Sequence, residues 1–196
     1  HFMGETAKIL SPDKKVLVPD VAAGCSLADS CKAAEFAEFI RKNPGHKVIS
    51  YVNTTAEVKA LTDVVVTSTN ARQIVESFPE DEKIIFGPDR NLGNYINSVT
   101  GRNMLLWNGA CHVHQRFTRD QVLSLKEKYP EAKVVCHPEC QEIIRLLSDH
   151  ICSTEKMIPY CRESEAQQFI IVTESGILHR LRKLVPGKEF IPVAAD

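Results

Sequence analysis

The chain is most easily understood from the stretch Met104-Leu105-Leu106-Trp107-Asn108-Gly109-Ala110-Cys111-His112-Val113-His114. Four apolar residues, typical of a buried strand, lead into a small-residue loop that carries one thiol and two imidazoles. Cys25 lies 86 residues before Cys111, in the similar loop Val21-Ala22-Ala23-Gly24-Cys25-Ser26. A further 86 residues would reach position 197, one past the last residue of the chain. The spacing predicts three related loops that direct thiols toward one place, the third thiol lying beyond the chain.

The same offset of 86 relates many other segments. Predicted helices at 33–41 and 120–129 both stop at a proline, and the predicted strand at 47–53 matches 133–139. Two more pairs of apolar segments match: 63–68 with 149–154, and 84–86 with 170–172. An offset without gaps that keeps strands and helix stops in phase indicates repeated supersecondary units.

Each repeat is predicted to have the order β-α-β-α-β-α-β. The further helices are expected at 70–78, 90–99, 140–147 and 175–184. At the start of the chain we expect a helix at 3–10 and a short strand at 14–18. Because strands alternate with helices, we predict an α/β fold with parallel sheets covered by helices.

Composition excludes several classes of protein. The net charge is −1, which offers no electrostatic basis for binding nucleic acid or an anionic membrane surface. No apolar run approaches the roughly 20 residues needed to span a bilayer. Seven cysteines without a secretory signal favour a reducing cytoplasm, where clustered cysteines serve metals or redox chemistry more often than disulfides.

Polar residues at predicted strand ends are the candidate site. In open α/β sheets, reactive groups gather beyond the carboxyl ends of the strands. The residues at such ends are Tyr51, Asn53, Thr67, Ser68, His137, Glu139, Ser153 and Thr154. His114 and the pair His137 and Glu139 are candidates for acid–base chemistry. The hydroxyls of Ser68 and Thr154 could bind a carboxylate or phosphate at a helix N-terminus, or could simply cap a helix.

Cys25 and Cys111 could be small buried hydrophobes or metal ligands, and their shared period and loop setting favour ligands. Two thiolates and a third beyond the chain fit a [4Fe-4S] cluster that leaves one iron open to substrate. The chain has no Cys-x-x-Cys pair, so neither a zinc ribbon nor a thioredoxin-like motif is supported. The remaining cysteines are out of phase and are interpreted as packing residues: Cys31, Cys136, Cys140, Cys152 and Cys161.

Six motifs together resemble quinolinate synthase over essentially the whole chain. They are Gly24-Cys25-Ser26-Leu27-Ala28-Asp29, Tyr51-Val52-Asn53-Thr54-Thr55, Thr67-Ser68-Thr69-Asn70-Ala71, Gly87-Pro88-Asp89-Arg90-Asn91-Leu92-Gly93, Gly109-Ala110-Cys111-His112-Val113-His114 and His137-Pro138-Glu139-Cys140. The resemblance implies three similar α/β domains about a pseudo-threefold axis, each lending one cysteine to a central [4Fe-4S] cluster. It also implies the condensation of iminoaspartate with dihydroxyacetone phosphate to quinolinate, with release of phosphate and water, in cytoplasmic NAD biosynthesis. A functional link to L-aspartate oxidase follows.

Carried over to this chain, the resemblance implies that Cys25 and Cys111 bind the cluster. The implied catalytic residues are Tyr51, His114, His137 and Glu139, and the implied substrate-binding residues are Asn53, Ser68, Ser153 and Thr154. The implied architecture is repeated three-layer αβα domains with four-stranded parallel sheets. Residues 1–32 would be the tail of a first domain, 33–115 a second domain and 116–196 a third.

Three departures from the family pattern stand out. The N-terminal segment with further His, Tyr and Ser groups is missing, the third cysteine is missing, and Cys152 precedes Ser153 where the family has glycine. We therefore expect residues 1–196 alone to bind a cluster poorly and to be inactive. Two other functions stay open: an unrelated Fe–S hydro-lyase, and a non-catalytic scaffold that binds a dicarboxylate.

Overall fold

The structure is a computed structural model that describes residues 1–194. The chain divides into two compact units, His1–Cys111 and a second that begins at His112. The first unit contains α1 (Phe2–Leu10), α2 (Ser26–Asp29), α3 (Ala33–Lys42), β1 (Lys47–Tyr51), α4 (Ala56–Lys59), β2 (Val64–Val66), α5 (Ala71–Glu76), β3 (Ile84–Gly87), α6 (Arg90–Thr100) and β4 (Leu105–Leu106). The second contains α7 (His112–Gln115), α8 (Arg119–Lys128), β5 (Lys133–Cys136), α9 (Glu142–Leu146), β6 (His150–Ile151), α10 (Thr154–Glu163), β7 (Gln168–Val172), α11 (Ile177–Leu184) and β8 (Glu189–Pro192).

Each unit has one four-stranded sheet, and every strand pair in both sheets is parallel. The strand orders are β2-β1-β3-β4 and β6-β5-β7-β8, which are the same order after the shift of 86 residues. Helices α3 and α8 begin and end at equivalent positions. Gly101 and Gly187, also equivalent, take φ angles of 70° and 89° in the turns before β4 and β8. The internal repeat of the sequence is therefore a repeat of structure.

A shared hydrogen bond shows how closely the units correspond. In the first unit the amide of Val48 donates to Asp63 Oδ2 over 2.7 Å. In the second, the amide of Val134 donates to Asp149 Oδ2 over 2.8 Å. Both carboxylates follow a short helix. Each accepts a hydrogen bond from a backbone amide near the start of the first strand of its sheet, and so holds the segment after the helix against that strand.

Each sheet has a hydrophobic core on both faces. Alternate residues of a strand point to opposite faces, so Val135 and Ile171 pack with helices α10 and α11. Val134 and Ile170 pack on the other face with α8 and α9. The first sheet is built likewise, with α5 and α6 on one face and α3 and α4 on the other. The predicted α/β fold of repeated three-layer units with parallel four-stranded sheets is confirmed.

The structure differs from the sequence prediction in several segments, and the short helices α2, α4 and α7 were not predicted. Residues 14–18 form no strand, and Leu17 is 89% exposed, because none of the described strands pairs with this segment. Helix α10 was not predicted, although its buried residues Met157, Ile158 and Cys161 lie on one face. Its interior Pro159 masks the helical pattern in the sequence. The division at residues 32 and 115 and the pseudo-threefold axis stay predictions.

No helix within residues 1–194 has the length and apolar character needed to cross a membrane.

Candidate functional site

In the first unit, the predicted site residues gather around one apolar cluster at the carboxyl ends of the strands. Tyr51 is the last residue of β1 and belongs to this cluster, and the half-buried side chains of Cys25 and Cys111 pack against it. Cys25 is the N-cap of α2, and Cys111 ends the loop after β4. Asn53 follows β1, and its Nδ2 lies 3.9 Å from the Sγ of Cys25. The structure therefore places Cys25 beside Asn53, and both predicted metal ligands against the core cluster that includes Tyr51.

The other five cysteines, all within the described residues, are fully packed in the cores. Burial, reinforced by Glu35, raises the pKa of Cys31 to about 12. Burial also raises the pKa of Cys152 and of Cys161 to about 12. Such thiols stay protonated and unreactive. Of the seven cysteines, only Cys25 and Cys111 are partly exposed, as the phase of the repeat predicted.

The fully buried carboxylate of Asp89 holds the loop that carries Cys111. Its Oδ1 accepts the amide of Leu92 over 2.7 Å and thereby caps α6. Its Oδ2 accepts the amide of Cys111 over 2.9 Å. The second bond was not predicted, because it joins residues 22 positions apart and has no local signal.

The loop after β4 also packs against the turn that follows α2. The indole Nε1 of Trp107 donates to the carbonyl of Ser30 over 3.1 Å. A Cβ atom on Gly109 would lie 2.4 Å from the carbonyl oxygen of Pro88 and 2.5 Å from Ser30 Oγ, so only glycine fits this approach. These contacts connect the two segments that carry Cys25 and Cys111.

In the second unit, a buried polar group lies at the carboxyl ends of β5 and β7. His114 Nδ1 lies 3.0 Å from Glu139 Oε2, and His114 Nε2 lies 2.9 Å from Thr173 Oγ1. The amide of Glu139 donates to His137 Nδ1 over 3.3 Å. The two imidazole rings stack with centroids 4.7 Å apart. The structure thus brings together the predicted catalytic residues His114, His137 and Glu139. It adds Thr173, which was not predicted; its position directly after β7 was the only feature of the sequence that could have indicated a site residue.

The contacts assign a proton position to the His137 imidazole. Because His137 Nδ1 accepts a hydrogen bond, its neutral ring carries the proton on Nε2. Burial lowers the pKa of His137 to about 4; the Glu139 carboxylate opposes this shift and His114 reinforces it. His114 directs Nδ1 toward the Glu139 carboxylate and Nε2 toward the Thr173 hydroxyl. His137 is therefore neutral at pH 7, and Glu139 is oriented by both rings.

The predicted anion-binding hydroxyls occupy two kinds of position. Ser153 is the buried N-cap of α10, and Thr154 is its first residue. Ser68 instead stands in the turn after β2, since α5 is capped by Asn70. The Asn70 side chain accepts hydrogen bonds from the amide and hydroxyl of Thr67, which forms this turn. Ser153 and Thr154 thus lie at a helix N-terminus, whereas Ser68 precedes one.

A cavity of about 410 Å³ opens at the carboxyl ends of β7 and β8. Its lining includes Thr173, Ser175 and Arg116, which can contact an anionic ligand, and the apolar side chain of Val193. A larger cavity of about 760 Å³ lies against α1 and contains none of the predicted site residues. The polar and basic groups in its lining, rather than its volume, therefore favour the smaller cavity as a ligand site.

Comparisons with known proteins identify the family of this chain. The sequence profile of quinolinate synthetase A protein matches residues 1–196. Quinolinate synthase of Synechocystis sp. is 54% identical over 193 residues, which cover 98% of this chain and 61% of that protein. The enzymes of Thermosynechococcus vestitus and Gloeothece citriformis are 53% and 50% identical, over 98% and 100% of this chain and 60% of each relative. The chain thus spans about 60% of the length of these curated relatives, and it belongs to the quinolinate synthetase A family.

Proposed function

We propose that the protein containing this chain is a quinolinate synthase. It condenses iminoaspartate with dihydroxyacetone phosphate to quinolinate, releasing phosphate and water, in cytoplasmic NAD biosynthesis, with L-aspartate oxidase as the source of iminoaspartate. Family membership supports the reaction. The observation that carries the proposal is the pair of partly exposed thiols, Cys25 and Cys111, packed against one apolar cluster that includes Tyr51.

The thiols fit an iron–sulfur cofactor. Thiolates are the usual protein ligands of such clusters, and Cys25 and Cys111 would supply two of them to a [4Fe-4S] cluster. Asn53 Nδ2 is placed to donate to the sulfur of Cys25, and hydrogen bonds to ligand sulfurs tune these clusters. When bound, the cluster would supply an open iron that acts as a Lewis acid toward the substrate.

Substrate binding is assigned to polar groups at the ends of the strands. Tyr51 and Asn53 hold and polarise the substrate beside the thiols. Ser153 and Thr154, at the N-terminus of a helix of ten residues, anchor a carboxylate or phosphate in the second unit. Ser68 is assigned the same kind of role in the first unit. Arg116 and Thr173 line a cavity of suitable size for part of an anionic substrate.

Proton transfer is assigned to Glu139 and His137. The neutral His137 ring can donate a hydrogen bond to the substrate from Nε2, and the Glu139 carboxylate can accept a proton during dehydration and ring closure. His114 bonds Glu139 through one ring nitrogen and Thr173 through the other, so that it fixes the orientation of the carboxylate. We therefore propose that His114 contributes to catalysis through the position of Glu139.

The test is anaerobic purification of the full-length protein, followed by iron and sulfide analysis, visible spectroscopy and quantification of quinolinate. We expect Cys25→Ser and Cys111→Ser each to abolish iron binding and product formation. Cys161→Ser is the matched control, because this thiol is buried in a separate core. A full iron content and normal activity in Cys25→Ser and Cys111→Ser would refute the ligand assignment.

Product analysis separates the alternatives. Water loss from a single acid would indicate a hydro-lyase, and binding of a dicarboxylate without turnover would indicate a scaffold. Either result would overturn the proposed reaction.

A further inference from the structure

Each unit carries a basic residue at the same position of the repeat. Lys59 is the last residue of α4, and Arg145 lies 86 positions later in α9. Arg145 is only 7% exposed, and Lys59 is half-buried. Burying a charged side chain is costly unless hydrogen bonds compensate, so the partners of these two cations are informative.

Both cations bind the same two carbonyl groups of their units. Lys59 Nζ donates to the carbonyl of Val52 over 2.9 Å and also to that of Thr54. Arg145 Nη1 donates to the carbonyls of Pro138 and Cys140 over 3.3 and 2.6 Å. Val52 and Pro138 are equivalent in the repeat, and so are Thr54 and Cys140. The similarity is specific, because two different side chains reach equivalent atoms.

The carbonyls belong to the loop that follows the first strand of each sheet, not to the helix that carries the cation. Their donors are therefore not the ordinary caps of a helix C-terminus. In both loops the cation binds the residues on either side of one central residue. That residue is Asn53 in the first unit and Glu139 in the second.

We propose that Lys59 and Arg145 are positioning residues, a repeated cationic clamp that fixes the loops of Asn53 and Glu139. This inference rests on the proposed function, in which Asn53 polarises the substrate and Glu139 accepts a proton. Two charge-assisted hydrogen bonds to flanking carbonyls restrict the backbone of the central residue and thereby the direction of its side chain. The reaction depends on such placement, because small displacements of a reacting group slow it severely.

Neighbouring contacts hold the Lys59 clamp in place. The Lys59 ammonium lies 5.8 Å from the centre of the Phe2 ring. Glu5 Oε2 accepts the amide of Ala56, the first residue of α4, over 2.9 Å. The loop is further closed by Thr54, whose buried hydroxyl donates to the carbonyl of Tyr51 over 3.0 Å.

The test uses two pairs of variants in the full-length protein. Lys59→Met and Arg145→Met remove the cation but keep an unbranched side chain. Lys59→Arg and Arg145→Lys give each unit the cationic residue that the other unit has at the equivalent position. We expect kcat to fall about tenfold or more in the Met variants, and to stay within about threefold of the wild-type value in the exchange variants.

A second readout does not depend on activity. Amide hydrogen exchange of substrate-free protein should be about tenfold faster or more at residues 53–54 in Lys59→Met, and at 139–140 in Arg145→Met. Lys126→Met is the matched control, because Lys126 Nζ donates to the carbonyl of Leu147 over 3.2 Å, away from both loops. We expect Lys126→Met to leave kcat and the exchange of both loops within about twofold of wild type.

Unchanged loop exchange and unchanged kcat in both Met variants would overturn the clamp. The clamp would also be overturned if Lys59→Arg and Arg145→Lys lost as much activity as the Met variants. Side-chain shape, rather than charge, would then determine the activity. A wild-type protein that makes no quinolinate would overturn the proposed reaction instead, and loop exchange would still test the clamp.

Discussion

Glu139 contacts two imidazoles in different ways. His114 Nδ1 lies 3.0 Å from its carboxylate, whereas the Nδ1 of His137 accepts a hydrogen bond from its backbone amide. Because His137 is 4% exposed and has a pKa of about 4, the folded protein keeps this ring neutral. The neutral ring can therefore donate a hydrogen bond from Nε2, while the neighbouring carboxylate is the group that can accept a proton.

The buried His137 makes stability depend on pH. Its pKa is about 4 in the folded protein and about 6.5 as the ordinary value, so the unfolded chain binds a proton first as pH falls. We expect the free energy of unfolding to decrease between about pH 6.5 and pH 4 through this group, by on the order of 3 kcal/mol, and to be unaffected by it above pH 6.5. Denaturant unfolding across this range measures the slope.

The variant His137→Asn keeps an acceptor for the Glu139 amide but does not titrate. It should flatten the decrease between pH 6.5 and pH 4, and an unchanged slope would show that other groups are responsible.

Asp89 is expected to control the loop of Cys111. In Asp89→Asn, one oxygen remains for the two amides of Leu92 and Cys111, and the new NH₂ group faces a donor. We predict a loss of about 2 kcal/mol in stability and faster alkylation of Cys111 in the iron-free protein. Denaturant unfolding and timed alkylation with mass spectrometry measure the two effects.

Asp63→Asn is the control for this prediction, because its remaining oxygen can still accept the Val48 amide. The control should leave alkylation of Cys111 unchanged. Equal alkylation rates in Asp89→Asn and wild type would contradict the proposed role of Asp89.

Elements were predictable where the pattern was strong and local. The helices α3 and α8 and the strands β1, β3, β5 and β7 were recognised from apolar periodicity and from stops such as Pro44 and Pro130. The strand predicted at 14–18 was wrong, because an apolar run becomes a strand only when a neighbouring strand supplies hydrogen bonds. Periodicity does not report whether such a neighbour exists.

The connection after β4 depends on a glycine. A Cβ at Gly109 would meet a backbone oxygen at 2.4 Å, which cannot move aside as a flexible side chain could. We predict that Gly109→Ala destabilises the first unit by about 1 to 3 kcal/mol and lowers iron content in the full-length protein. Denaturant unfolding and iron analysis measure the two effects.

Gly101→Ala provides the comparison, since this glycine has a φ of 70° but open space around its Cα. It should cost about 1 kcal/mol and leave iron content unchanged. Iron content lowered equally by both substitutions would show that stability alone is responsible.

At the scale of the whole molecule, the repeat is the dominant feature. Strand order, the bounds of α3 and α8, turn glycines and the carboxylates of Asp63 and Asp149 correspond between the two units. Equivalent bonds in separate sheets should behave as independent copies of one interaction.

We therefore predict that Asp63→Ala and Asp149→Ala each reduce stability by about 1 to 2 kcal/mol, because each leaves one strand amide without its acceptor. The double variant should lose the sum of the two effects within about 0.5 kcal/mol. Denaturant unfolding of the three variants measures this, and strong coupling would show that the units do not respond separately.

The sequence by itself determined the α/β class, the repeat of 86 residues, the strand-end positions of the polar residues and the pairing of Cys25 with Cys111 in one phase. These features follow from local periodicity, which the chain carries along its length. Only the tertiary structure decided that Asp89 holds the Cys111 amide, that Thr173 meets His114, and that Lys59 and Arg145 bind equivalent loops. The first two contacts join residues 22 and 59 positions apart, and hydrogen bonds across such distances leave no periodic trace in a single sequence. The two cations bind carbonyls only five to seven positions away, but one is a lysine and the other an arginine, so apolar periodicity does not reveal them.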